Sequence, residues 1–181
     1  MKRISRFVLN LLGWKYIGGF PEEVPKCVLI TAPHTSMWDF VYGRLALYAL
    51  NIRANFIIKK EIFVPVLGAI IKAFGGIPID RSRGKDIVEE VVKVFDENEK
   101  ICLVITPEGT RKKVIKWKRG FYYIAERAQV PVAMGYIDYG TKVCEIKELI
   151  WPTGDFEKDF GHIEAFYRGR KGKHPEKFNL S

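Results

Sequence analysis

Short apolar segments alternate with helical patterns along most of this chain, and that alternation restricts its fold more than any other feature. Six segments have the length and composition of strands, at residues 27–32, 54–58, 77–80, 101–106, 130–137 and 142–146. Helical patterns occupy residues 37–50, 66–74, 84–98 and 116–128, and another follows Thr153. Strands that alternate with helices predict an α/β fold, with a largely parallel mixed sheet flanked by helices. A length of 181 residues fits a single domain.

The net charge limits the partners of the chain. Thirty Lys and Arg residues against 21 Asp and Glu residues give +9, which favours a nucleic acid, an anionic membrane surface or a phosphorylated substrate. The three cysteines form no Cys-x-x-Cys pair, so we expect a reduced, cytosolic setting rather than a disulfide framework. No apolar run reaches 18 residues, so no membrane-spanning helix is expected.

Residues 1–20 form an amphipathic pattern of their own. The apolar side chains follow helical spacing and the basic ones lie off that stripe; the stripe consists of Ile4, Phe7, Val8, Leu11 and Leu12. The aromatic residues Trp14, Tyr16 and Phe20 follow, as is typical of membrane interfaces. We interpret residues 1–20 as a membrane-association segment and residues 21–181 as the catalytic domain. The alternative is that the stripe docks on the protein's own core.

His34 and Asp39 follow the predicted strand 27–32 and are candidates for acid–base chemistry. On one regular helix, positions five apart lie about 140° apart around the axis and cannot meet. If His34 lies in the loop, Asp39 in the first helical turn can reach back to the imidazole and orient it as a general base. The alternative is that Asp39 only caps the helix together with Ser36.

A second group follows the predicted strand 101–106. Glu108, Gly109, Thr110 and Arg111 offer backbone N–H groups, a hydroxyl and a guanidinium that can cradle an anion. The alternative is an ordinary turn with a surface arginine. Arg81 ends another short strand and is either a second anion ligand or a surface partner of Asp80. For Lys60, the sequence alone favours a plain surface position.

Four motifs, taken in their order along the chain, resemble those of a known family. They are His34-x4-Asp39, Gly-Ile-Pro-Ile-Asp-Arg at residues 76–81, Pro-Glu-Gly-Thr-Arg at residues 107–111, and Val-Pro-Val at residues 130–132. Together they resemble the glycerolipid acyltransferase family typified by 1-acyl-sn-glycerol-3-phosphate acyltransferase. The resemblance implies that His34 is the general base and that Asp39 orients it. It also implies that the acceptor and its phosphate are bound by Lys60, Arg81, Glu108, Gly109, Thr110 and Arg111.

The resemblance implies an O-acyltransferase that needs no cofactor or metal. It would move a fatty acyl group from acyl-CoA or acyl carrier protein to the hydroxyl of a lysophospholipid such as 1-acylglycerol-3-phosphate, giving phosphatidic acid in phospholipid biosynthesis. It would work peripherally on the cytoplasmic face of an anionic membrane surface, with no nucleic acid as partner. One alternative is an O-acyltransferase for another lyso-lipid, such as a lyso-aminolipid.

A second alternative, from another class, is a non-enzymatic basic nucleic-acid-binding protein. Its support is the basic stretch 111–119 and the C-terminal cluster of Arg168, Arg170, Lys171 and Lys173. No recognisable nucleic-acid-binding motif accompanies these residues. The sequence offers no other role for the C-terminal cluster. His162 and His174 form no metal-ligand spacing with His34, so a metal-dependent hydrolase is not expected.

Overall fold

A seven-stranded sheet forms the centre of the computed structural model, which describes residues 1–21, 23–80 and 87–180. The strands are β1 (Lys15–Gly18), β2 (Lys26–Thr31), β3 (Asn55–Lys59), β4 (Gly76–Ile79), β5 (Ile101–Ile105), β6 (Val132–Asp138) and β7 (Val143–Ile150). The helices are α1 (Lys2–Leu11), α2 (Met37–Ala49), α3 (Pro65–Ala73), α4 (Ile87–Asp96), α5 (Gly120–Arg127) and α6 (Phe156–Tyr167).

The sheet order is β1-β7-β6-β2-β5-β3-β4. Strand β2 pairs in parallel with β5 and β6, β3 pairs in parallel with β5 and β4, and β1 pairs in parallel with β7. The hairpin β6–β7 is antiparallel. The predicted α/β fold, with a largely parallel mixed sheet flanked by helices, is therefore confirmed.

Helices cover both faces of the sheet. Alternation along β2 sends Val28 and Ile30 into the larger core, together with residues of α4, α5 and α6. Cys27 and Leu29 point to the opposite face, where they meet Leu47 of α2. Because both faces are buried, the central strands are apolar at nearly every position. This explains why the sequence shows these strands as short continuous apolar runs.

Helix α1 turns its predicted apolar stripe away from the core. The exposed fractions of Ile4, Phe7 and Leu11 are 63%, 68% and 73%, whereas Leu9, outside the stripe, is fully buried. The alternative in which the stripe docks on the protein's own core is therefore wrong for these side chains. In the described parts of the chain, every helix is too short or too polar to cross a membrane.

Other differences from the sequence predictions lie at the ends of elements. Strand β1 was not predicted. Trp14 does not point outward as an interface residue, because it stacks on Tyr42 of α2 at a centroid distance of 4.3 Å and is buried. The helix predicted from residue 116 begins at Gly120, and α6 is capped by Asp155 rather than Thr153. The first residues of the helix predicted from residue 84 lie outside the described residues.

Candidate active site

His34 lies in the loop between β2 and α2, at the carboxyl edge of the sheet. Its Nδ1 is 3.3 Å from Oδ2 of Asp39, which occupies the first turn of α2. Ser36 is the N-cap of that helix, and Ser36 and Asp39 form a capping box. The carboxylate that caps the helix therefore also reaches the imidazole, so capping is not its only contact.

Asp39 is held by a set of hydrogen bonds that keeps it ionised. Its Oδ2 accepts from the backbone N–H groups of Thr35 and Ser36 at 2.7 and 2.8 Å, and its Oδ1 accepts from the Tyr139 hydroxyl at 2.8 Å. Burial alone would raise the pKa of Asp39, but the hydrogen bonds from His34, Ser36, Tyr139 and Thr35 outweigh it. The pKa of Asp39 therefore lies below its usual value.

This arrangement prepares His34 to act as a base. An ionised Asp39 beside Nδ1 stabilises the tautomer with its proton on Nδ1, which leaves Nε2 able to accept a proton. The same carboxylate stabilises the imidazolium that then forms. The His34 side chain is 22% exposed and lines a cavity, so a substrate can reach it.

Glu108 joins the loop after β5 to the loop of His34. Because β2 and β5 are paired neighbours, both loops leave the same edge of the sheet. Oε1 of Glu108 accepts a hydrogen bond from the backbone N–H of His34 at 2.8 Å, while its buried Oε2 has no hydrogen-bond partner among the described residues. Burial raises the pKa of Glu108 from 4.5 to about 7. Glu108 therefore holds the backbone of the His34 loop through this hydrogen bond, and its burial disfavours the charged form.

Gly109 allows a lysine to lie against this loop. Its φ is +66°, and a Cβ atom built there would be 2.8 Å from Cε of Lys118. Glycine adopts this left-handed backbone conformation without strain, and the end of the Lys118 side chain lies over it. Gly109 and Lys118 both line the cavity that His34 lines, so an ammonium group stands beside the candidate active site.

The cavity has a volume of about 500 Å³ and is mostly apolar away from His34. It extends between α2 and the sheet, where Phe40, Gly43 and Leu47 face Leu29 and Ile146. Arg44 and Glu145 also line it, but most of its wall is apolar, and a cavity of this size beside His34 suits an apolar chain that ends in a reactive carbonyl group.

The remaining predicted site residues divide into three groups. Thr110 and Arg111 line a second cleft, which also borders Thr35 and Ser36. Lys60 begins a 3-10 turn after β3, where it is exposed and lines neither the cavity nor this cleft. Arg81 lies outside the described residues. The structure thus brings His34, Asp39 and residues 108–111 together and leaves Lys60 apart.

Two further site residues were missed by the sequence analysis. Tyr139 lies 100 positions from its partner Asp39, just after β6, and no local pattern indicates that contact. Lys118 lies in the basic stretch 111–119, where the sequence does not show which basic side chain faces the site. Across residues 1–21, 23–80 and 87–180, no three His, Cys, Asp or Glu side chains are grouped so that they could hold a metal ion.

Two comparisons with known proteins give the fold and the family of the chain. The chain superposes on the crystal structure of the 1-acyl-sn-glycerophosphate (LPA) acyltransferase PlsC from Thermotoga maritima, with a TM-score of 0.64 and 19% sequence identity. The match covers 95% of this chain and 80% of that one, and it shows a shared fold. No curated protein matches the sequence closely enough to count as a relative. The family model described as Acyltransferase matches residues 19–136, well over half of the chain, so the protein belongs to the Acyltransferase family.

Proposed function

We propose that this protein transfers a fatty acyl group from a thioester donor, acyl-CoA or acyl carrier protein, to the hydroxyl of a lysophospholipid, best represented by 1-acylglycerol-3-phosphate. The observation that carries the proposal is the oriented His34–Asp39 pair beside a mostly apolar cavity. Membership of the Acyltransferase family removes the alternative of a non-enzymatic nucleic-acid-binding protein.

The chemistry needs a base and no enzyme nucleophile. Nε2 of His34 takes the proton of the acceptor hydroxyl while the hydroxyl oxygen attacks the thioester carbonyl carbon. The tetrahedral intermediate then collapses, the C–S bond breaks, and the departing thiolate receives the proton from the imidazolium. Asp39 stabilises that imidazolium throughout. The products are the ester and the free thiol, so His34 returns to its starting state.

The acyl chain and the acceptor phosphate are assigned to different cavities. The apolar cavity between α2 and the sheet suits the acyl chain, whose methylenes each gain about 0.8 kcal/mol on burial. The acceptor phosphate suits Arg111, which has no acidic partner or side-chain hydrogen bond among the described residues. Arg111 lines the cleft next to Thr35 and Ser36, which directly follow His34. The name of the Thermotoga protein, an LPA acyltransferase, supports the same acceptor.

We propose a peripheral position on the cytoplasmic face of an anionic membrane; the exposed side chains of helix α1 support the membrane contact. Ile4, Phe7 and Leu11 are exposed, and so is Trp38 of α2, the helix against which α1 packs. Large apolar side chains gain about 1.5–3 kcal/mol each on burial, and basic residues near anionic lipid about 1 kcal/mol each. We expect a Phe7→Glu, Leu11→Glu variant to lose sedimentation with anionic vesicles. Unchanged sedimentation of that folded variant would rule out this surface.

The test of the reaction is a transfer assay with labelled donors. Both acyl-CoA and acyl carrier protein are offered, with 1-acylglycerol-3-phosphate, a monoacylglycerol and a lyso-aminolipid as acceptors. We expect 1-acylglycerol-3-phosphate to be preferred, His34→Ala to abolish transfer, and Asp39→Asn to lower kcat on the order of 10²–10⁴-fold.

His162→Ala is the matched control, because this exposed histidine also lies beside a carboxylate, with its Nε2 3.0 Å from Oε2 of Glu148. Near-normal transfer by folded His34→Ala would refute the mechanism. A preference for the lyso-aminolipid would keep the mechanism and replace the proposed acceptor.

A further inference from the structure

The C-terminal segment, residues 170–177, lies directly against the loop of His34. The backbone N–H of His174 donates to Oγ1 of Thr35 at 3.2 Å, and the carbonyl of Lys171 accepts from the backbone N–H of Tyr139 at 2.9 Å. Gly172 lies so close that a Cβ atom there would be 2.7 Å from Oγ1 of Thr35. The C-terminal segment is therefore part of the wall around the candidate active site.

Between this segment and residues 110–112 lies a cleft of about 440 Å³, which we call the basic cleft. Its lining residues are Thr35, Ser36, Met37, Thr110, Arg111, Lys112, His174 and Lys177. Among the described residues, two carboxylates lie beside its lining residues: Asp39, which accepts from the backbone N–H groups of Thr35 and Ser36 and is paired with His34, and Glu176, whose Oε1 is 3.7 Å from Nδ1 of His174. Three cationic side chains, those of Arg111, Lys112 and Lys177, line the same space. The basic cleft thus carries an excess of positive charge.

Three of the lining side chains carry charges that nothing in the described residues neutralises. The side chains of Arg111, Lys112 and Lys177 have neither an acidic partner nor a hydrogen bond there. Cations that line one cleft repel each other, and a bound anion relieves that repulsion. A guanidinium can bind two phosphate oxygens at once, and lysines add point charges at the remaining oxygens. Hydroxyl groups of Thr35, Ser36 and Thr110 border the same space.

We propose that the C-terminal segment completes the basic cleft as a binding site for a phosphate ester, with Lys177 supplied by that segment and Arg111 and Lys112 supplied by the loop after β5. This inference rests on the proposed function, which requires a phosphorylated substrate. The phosphate of the acceptor is the favoured source, because Thr35 in the basic cleft adjoins His34 in the apolar cavity. The phosphates of coenzyme A are the second source with the same chemistry.

Direct binding tests the site without needing transfer. Titration calorimetry on the whole protein measures the Kd of sn-glycerol 3-phosphate and, separately, of coenzyme A. Lys177→Ala removes a lining charge, while Lys171→Ala removes an equal charge from the same segment outside the cleft and serves as the control. We expect Lys177→Ala to raise the Kd of sn-glycerol 3-phosphate about tenfold and to lessen its dependence on salt, with Lys177→Arg restoring binding.

Each outcome has a distinct meaning. If Lys177→Ala raises the Kd of coenzyme A but not that of sn-glycerol 3-phosphate, the site exists and binds the phosphates of the donor. Equal Kd values for Lys177→Ala and Lys171→Ala with both probes overturn the site. Lys177-dependent binding in a protein that transfers no acyl group to any acceptor overturns the proposed function and leaves the anion site in place.

Discussion

Replacing Glu108 by glutamine separates the charge of this residue from its role in holding the loop of His34. A glutamine carbonyl oxygen can still accept the bond that the backbone N–H of His34 now donates to Oε1. The side chain can no longer ionise. Burial raises the pKa of Glu108 from 4.5 to about 7, so folding opposes ionisation of this group. At 1.36 kcal/mol per pKa unit, the shift corresponds to about 3 kcal/mol of stability.

The sign of the effect follows from the direction of that shift. The stability associated with a neutral Glu108 is fully present below pH 4.5 and is lost as the pH rises through about 7. Relative to Glu108→Gln, the wild-type protein should therefore lose about 2–3 kcal/mol in its free energy of unfolding between pH 5 and pH 8.5. Constant effects of the amide, such as its missing partner at the Oε2 position, cancel in this comparison.

Urea unfolding of both proteins at the two pH values measures this difference. Glu97→Gln is the control, because Glu97 is exposed and its carboxylate stays hydrated in the folded protein. A gap between wild type and Glu108→Gln that is equal at pH 5 and pH 8.5 would refute the reasoning. It would mean that Glu108 ionises in its buried place without cost.

Other substitutions test the remaining contacts. Tyr139→Phe removes a hydrogen bond to ionised Asp39 and should lower the free energy of unfolding at pH 7 by about 1.5–3 kcal/mol, with a fall in kcat. Tyr42→Phe is the control, because its hydroxyl has no hydrogen-bond partner among the described residues. Equal unfolding midpoints for Tyr139→Phe and Tyr42→Phe would contradict the stabilising role of the Tyr139–Asp39 hydrogen bond. Gly43→Leu fills part of the apolar cavity and should shift the donor preference to shorter acyl chains in a competition assay, by ~0.8 kcal/mol for each methylene that no longer fits. An unchanged preference would mean that the acyl chain binds elsewhere. Gly172→Val forces the C-terminal segment off Thr35 and should cost about 1–3 kcal/mol in thermal unfolding, whereas an unchanged Tm means that the segment adapts freely.

Six of the seven described strands and part of the site could be predicted from the sequence. Strands buried on both faces leave continuous apolar runs, and the residues after each run must meet at one edge of a parallel sheet. That logic brings His34 and Glu108 together, and the structure joins them by a hydrogen bond. A helix cap is a local signal, so the contact of Asp39 with the same loop was also predictable.

Contacts that depend on distant pairing were not predictable in this way. Strand β1 has four residues and exists because it pairs with β7. Tyr139 and His174 reach Asp39 and Thr35, beside His34, only after the chain has crossed the sheet several times. Apolar spacing also predicted the stripe of α1 without showing which way it faces. Leu9 and Trp14 take the core contacts of this region, and Phe7 is left exposed.

The pairing of β1 with β7 has a consequence for biosynthesis. Lys15 pairs with Val143, so 143 − 15 = 128 positions separate the first strand from its partner. At roughly 5–20 residues per second, the ribosome needs about 6–26 s to make that interval. During this time α1 cannot complete its docking, because Leu9 and Trp14 pack partly on Ile137 and Cys144, which come late in the chain. The nascent segment of α1 therefore spends seconds without its full core contacts, too short to be a stable helix alone and available to chaperones or lipid before the enzyme is finished.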